Sequence, residues 1–141
     1  MRTVHHRLSP VPLALLLLAL PCTAFAPWGM EGVGIVSTRD TELRATLHPD
    51  GHSIVWSSPD RAGGPGGGDL WIARRIDGRW QEARPLALNT TASESDPAFS
   101  ADGRWLYFVS DRAGGLGGND LFRASFAGGE AGTPQLLGGG V

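Results

Sequence analysis

Two dipeptides, Asp60-Arg61 and Asp111-Arg112, are the first candidates for chemistry, because each sets a carboxylate beside a guanidinium at the mouth of a glycine-rich loop. Such a pair offers charge-assisted hydrogen bonds to a ligand or a partner peptide. The competing reading is architectural, with Asp capping nearby backbone amides and Arg packing across a seam. The stretch Asp60 to Trp71 returns as Asp111 to Phe122 with nine of twelve positions identical. A pair used identically in two copies suits architecture better than one active centre, and Glu42, Glu94 and Asp96 follow the same logic. His48 and His52 are four residues apart, a spacing that serves a metal only where a helix puts both on one face. Here they flank a turn, and their counterparts are Ser100 and Arg104, so both read as surface turn residues. Ser53, Ser57, Ser58 and Ser110 lie in or beside apolar runs, with no Gly-x-Ser-x-Gly elbow to raise a nucleophile. The chain therefore reads as non-enzymatic, with no cofactor and no metal.

The glycine loops invite one further test. Gly117-Gly118-Asn119-Asp120 superficially resembles a calcium-binding nonapeptide, but that motif shares ions between turns stacked nine residues apart. Here the copies stand fifty-one residues apart. The loops read instead as tight connections that need glycine for its conformational range.

The elements that must position these residues repeat as well. Glu42 to Trp56 runs in register with Glu94 to Phe108, and Thr38 corresponds to Thr90. Asp50-Gly51 and Asp102-Gly103 are hairpin dipeptides. The first predicts strands over 45–47 and 53–57, the second over 98–99 and 105–110. Ile54-Val55-Trp56 and Leu106-Tyr107-Phe108-Val109 are unbroken apolar runs, which predicts sheets covered on both faces. A third strand follows each glycine loop, over 69–75 and 120–126. A fourth includes Trp80 and ends near Leu88; its copy follows a turn over 129–132 and spans 134–137. The repeat is thus punctuated by Asp50, Gly51, Gly63, Gly64 and Asp69 in one copy and by Asp102, Gly103, Gly114, Gly115 and Asp120 in the other. Four antiparallel strands per unit, repeated, predict an all-β chain of two β-propeller blades, over 36–88 and 89–141, behind a lead-in at 27–35. Trp56 with Phe108 and Trp71 with Phe122 are aromatic in both copies and read as packing between blades. Trp28, Trp80 and Trp105 have no aromatic counterpart and are freer to meet a ligand.

With the repeat laid out, a family likeness emerges. Ser-Ala-Asp-Gly, then Leu106-Tyr107-Phe108-Val109-Ser110-Asp111-Arg112, then Gly-Gly-x-Gly-Gly-x-Asp-Leu, resembles the repeat of TolB-like propellers, also called WD40-like or PD40 repeats. The resemblance covers 36–141. Blade one departs from it at Ser57-Ser58-Pro59-Asp60-Arg61, where one residue is inserted. The resemblance implies a periplasmic setting and a protein or cell-envelope partner.

The N-terminus has its own message. Arg2 and Arg7, an apolar run of ten residues from Val11 to Leu20, and Ala24-Phe25-Ala26 have the layout of a secretory signal peptide over 1–26, cut near residue 24 or 26. The run is shorter than the ~20 residues that cross a bilayer. Pro21 stands where lipoprotein processing needs a small residue, so anchoring through Cys22, the only cysteine, is not expected. Loss of the leader removes two of twelve arginines and none of fourteen acidic residues, which leaves a net charge of −4. That excludes a basic field for nucleic acid. Export to the periplasm or beyond, in a bacterium, is the expectation.

Two blades leave a deficit. Propellers close with about four to eight. A blade face of four strands spaced ~4.8 Å and six residues long offers about 400 Å², and leaving it uncovered forgoes on the order of 10 kcal/mol. Three resolutions follow: the chain leads a longer protein, such as a propeller-bearing hydrolase or lyase; copies associate, as in a lectin-like trimer; or the two blades form an open stack.

Overall fold

The computed structural model describes residues 34–138. The expected leader, with Cys22, and Trp28 in the lead-in lie outside these residues. Nine strands and no helix are found among the described residues: β1 (Leu43–Leu47), β2 (Ser53–Ser58), β3 (Asp69–Ile76), β4 (Arg79–Pro85), β5 (Glu94–Phe99), β6 (Trp105–Ser110), β7 (Asp120–Ala127), β8 (Glu130–Ala131) and β9 (Gln135–Leu136). They form two antiparallel meanders, β1-β2-β3-β4 and β5-β6-β7-β8, with β9 also on β7. This is the all-β, two-blade arrangement of an incomplete propeller.

Local chemistry explains each turn. Gly51 and Gly103 adopt φ 74 and 72, and their amides donate to the carbonyls of His48 and Ser100 at 2.8 and 2.9 Å. The β3–β4 turn places both Asp77 and Gly78 at positive φ, and Gly128 and Gly129 do the same in blade two. Two successive left-handed residues match the right-handed twist of the strands they join. The innermost strands β1 and β5 both carry a bulge, at which Arg44 and Asp96 take φ 49 and 53. Left-handed backbone is uncommon outside glycine. The two equivalent residues meet as an ion pair, Arg44 Nε to Asp96 Oδ1 at 2.6 Å.

The fourth strand of blade two differs from the reading above. The turn lies at Gly128-Gly129, one residue earlier, and Glu130–Ala131 is already strand. Thr133-Pro134 then interrupts the edge, since proline has no amide to donate, and pairing resumes as β9 opposite Phe122 and Arg123. In blade one the same edge stays a single strand, with a bulge opposite Ile72 and Arg74.

The blades stack through one face of each. Val55, Leu70 and Ile72 of blade one pack against Leu106, Phe108, Phe122, Ala124 and Phe126 of blade two, with Leu86 and Leu88 laid between them. Phe108 and Phe122 stack at 5.7 Å. Trp56, Trp71 and Ala73 form a separate cluster on the other side of blade one, with Ile35 and Val36 against it. So Phe108 and Phe122 pack between the blades of this chain, whereas their counterparts Trp56 and Trp71 face away from blade two. The expectation of sheets covered on both faces holds for blade one. In blade two Leu106 and Phe108 are buried but Tyr107 and Val109 only half so, because among the described residues no third sheet lies against them.

Candidate functional site

The glycine loops wrap around a carboxylate. Asp120 Oδ2 accepts from the amides of Leu116 (2.7 Å) and Gly117 (3.2 Å), and Asp69 Oδ2 accepts from Gly66 at 3.3 Å. A Cβ on Gly64 or Gly115 would sit 2.0 or 2.1 Å from the enclosed carboxylate oxygen, which is why glycine recurs there. Burial pushes the Asp69 carboxyl above the ordinary range, the Gly66 amide opposing and the Glu94 charge adding to it. The blade-one loop also meets the entry to blade two: Gly67 donates to Ala92 O at 3.3 Å, and Glu94 donates to Gly68 O at 2.8 Å.

In each Asp-Arg pair the two side chains serve different partners. Asp60 accepts from the amide and hydroxyl of Thr41 at 2.8 and 2.9 Å, and these bonds hold its carboxyl below the usual range. Asp111 accepts from the Ser93 amide at 2.8 Å. Arg61 stacks on Trp71, 4.4 Å from the ring centre, and donates to Ile35 O at 3.1 Å. Arg112 lies over Phe108 and Phe122 and donates to Leu88 O at 3.1 Å. Thus Asp fastens the lead-in of its own blade, while Arg pins the connecting segment to the aromatic face.

Around Arg112 a buried network forms. Glu94, 0% exposed, accepts from Thr90 N (3.0 Å), Thr90 Oγ1 (2.7 Å), Ser110 Oγ (3.1 Å) and Arg112 Nη2 (3.0 Å). Glu42 accepts from the amide and hydroxyl of Thr38 in the same way. The ion pair appears in blade two alone among the described pairs. The repeat in the sequence reveals Glu94 as the twin of Glu42, but not that one is sealed and the other half-buried.

His48 departs from its reading as a surface turn residue. Its ring enters the seam, edge-on to Phe99 at 4.9 Å and beside Phe126 at 5.3 Å. Nε2 lies 3.0 Å from Gly103 O, and Nδ1 lies 2.8 Å from Asp50 Oδ1. The apolar seam attracts the ring, and Gly103 leaves room for it, since a Cβ there would lie 2.4 Å from Nε2. The signal was available in the sequence only as a His where the other copy has Ser100.

His48 and Gly103 form one wall of a cleft at the hairpin end of the seam, a cavity of roughly 360 Å³ also bounded by His52, Arg74, Asp102 and Gly129. Its carboxylates are engaged locally. Asp102 is held down to about 2 by the Ser100 hydroxyl and by the amide and guanidinium of Arg104. Partial burial pushes Asp50 up, but the His52 amide and the His48 ring together hold it below its usual value. Arg74 lies along Gly129, and no ion pair engages it among the described residues. Trp80 and Trp105, the unmatched tryptophans, lie under Arg75 and Arg123 respectively. Among the described residues no three His, Cys, Asp or Glu side chains are grouped as around a metal ion, and no helix is long and apolar enough to cross a membrane.

No protein-family model and no curated protein matches the sequence. Among solved structures the chain is similar to the crystal structure of TolB from Acinetobacter baumannii, with 17% identity and a TM-score of 0.44 over 64% of this chain. The chain spans 20% of the length of that protein. The two-blade reading rests on the sheets themselves.

Proposed function

We propose that this chain is an exported, non-enzymatic propeller module of the TolB-like type that binds a protein or cell-envelope partner in the periplasm. The observation that carries this reading is the division of labour among its charged residues. Asp60, Arg61, Asp111, Arg112, Glu42 and Glu94 all hold the two blades' own connections. The seam cleft, by contrast, presents a cation, Arg74, that no ion pair engages among the described residues, beside His52 and an aromatic floor at Phe126. An extended segment bearing a carboxylate fits such a cleft, because Arg binds carboxylates through a planar fork. The leader layout and the motif resemblance support export and the TolB-like assignment.

Site-specific photo-crosslinking in the producing cell tests the reading. A crosslinker at position 74 is expected to capture a discrete envelope protein, while one at Ala62, on the opposite loop end, is not. Equal capture from both positions, or none from position 74, overturns it. Fractionation that leaves the chain in the cytoplasm with residues 1–26 attached overturns export.

A further inference from the structure

We infer that Ser53 and Arg74 form a seat for one carboxylate, that of the last residue of a peptide chain, which enters the seam cleft end-on. This rests on the reading of the cleft as the partner's site, and says which part of the partner it takes. Strand register sets the pair. Ser53 on β2 stands directly opposite Arg74 on β3, two residues beyond Val55 and Ile72. Side chains two residues apart point to the same face, so Ser53 and Arg74 extend the face that blade one turns toward blade two.

The repeat marks this pair as a departure. Its counterparts in blade two are Trp105 and Ser125, which also stand opposite each other. Where the two copies agree, at the Asp-Arg pairs and the glycine loops, the residues hold connections. At Ser53 and Arg74 they disagree, and blade two forms the same meander without the pair.

Both side chains offer donors to the cleft. Ser53 is 5% exposed and lines it, yet its hydroxyl makes no hydrogen bond among the described residues. Buried polar groups are nearly always paired, so a ligand is the natural acceptor. Arg74 makes no ion pair or side-chain hydrogen bond among the described residues. Its stem is nevertheless positioned, with Cγ, Cδ and Nε 3.4 to 3.9 Å from where a Gly129 Cβ would stand. A fork held by its stem loses little freedom on binding.

Donor count and charge select the ligand. A guanidinium fork and one hydroxyl match the two oxygens of a carboxylate. A phosphate dianion suits the cleft less, because Asp50 and Asp102 also line it and both are ionised at neutral pH. Topology then selects the end of a chain over its middle. The strands that line the cleft, β2, β3 and β7, are each paired on both sides, so no open edge is offered for an extended peptide to join. The rest of the lining is turn. The hold is therefore one charged contact above an apolar floor at Phe126, in a cleft of roughly 360 Å³, near the lower bound of small-ligand pockets.

NMR titration of the full chain with N-acetylleucine is the test, alongside its carboxamide, the α-amide of N-acetylglutamate and inorganic phosphate. N-acetylleucine is expected to bind in roughly the millimolar range, shifting Ser53, Arg74 and Gly129, with the other three weaker by about threefold or more. Equal binding of the glutamate amide overturns the choice of chain end; equal binding of the carboxamide or of phosphate overturns the seat. Ser53→Ala removes a hydroxyl that bonds nothing in the free chain, so its urea midpoint is expected to stay unchanged while affinity falls about fivefold. Arg74→Gln should lose about tenfold, and Arg74→Lys, which keeps the charge but not the fork, nearly as much. Undiminished affinity in S53A, or native affinity in R74K, overturns the inference. Probe binding that depends on both residues, with no envelope protein captured from position 74, keeps the seat and removes the partner. Capture from position 74 without probe binding keeps the partner and overturns the seat.

Discussion

Replacing Arg112 by Ala removes the cation that faces a carboxylate sealed from solvent. Glu94 is 0% exposed, Arg112 is its ion-pair partner at 3.0 Å, and its other contacts are Thr90 and Ser110. Removing one member of a buried pair leaves an uncompensated charge and costs about 3–5 kcal/mol. The loss of the bond to Leu88 O and of the contacts over Phe108 and Phe122 falls within that figure. Arg61→Ala provides the internal control. It forfeits one charged hydrogen bond to Ile35 O and the stacking on Trp71, about 2–3 kcal/mol together, but orphans no buried carboxylate. Urea unfolding followed by circular dichroism should place R112A below R61A by about 1–2 kcal/mol with the same slope. Adding Glu94→Gln to R112A removes the stranded charge and should restore about 1 kcal/mol or more, although E94Q alone destabilises. Equal losses for the two arginines, or no rescue by E94Q, refute the view that a buried ion pair distinguishes blade two.

Three further outcomes are expected. Gly64→Ala should cost more than Gly115→Ala in the same unfolding assay, because the carboxylate that each Cβ strikes is buried at Asp69 and half-exposed at Asp120. Gly103→Ala forces both an unfavourable φ and the retreat of His48, and should lose about 1–3 kcal/mol; His48→Ala in that background should then cost little, since the ring has already been displaced. Two carboxylates give opposite pH signatures. Asp102, held down to about 2, stabilises the fold above pH ~4, and that contribution is lost as pH falls through about 2, so Asp102→Asn should flatten acid unfolding in this window. Asp69, pushed up by burial, disfavours the fold when charged; Asp69→Asn should raise the urea midpoint at neutral pH, and the gain should disappear in acid.

The repeat made most of the fold legible, because period-two strands and Asp-Gly turns are local signals. The central strands fall where Ile54-Val55-Trp56 and Leu106-Tyr107-Phe108 place them. The edge of blade two was misplaced because Gly128-Gly129 and Gly132 offer competing turns, and tertiary pairing with β7 decides between them. His48 was misjudged for a different reason. Turn residues are usually exposed, and only the other blade makes this one part of a seam. The split between the inner seam and the tryptophan face was also hidden, since aromatic residues shared by the two copies look alike whether the second blade or the chain's own lead-in at Ile35 and Val36 lies beyond them.

Residue-resolved amide hydrogen exchange on the full chain most directly tests the claim that two blades stack through one seam. The amides of Gly67 and Glu94 bond between the blade-one loop and the entry to blade two, to Ala92 O and Gly68 O. If the blades stack as one unit, the Glu94 amide is expected to be as protected as those of β2, β3, β6 and β7, Gly67 is expected to be protected well beyond loop rates, and all should open together. If Gly67 and Glu94 exchange at loop rates while the strands stay protected, the blades are independent hairpin sheets and the seam does not exist in solution.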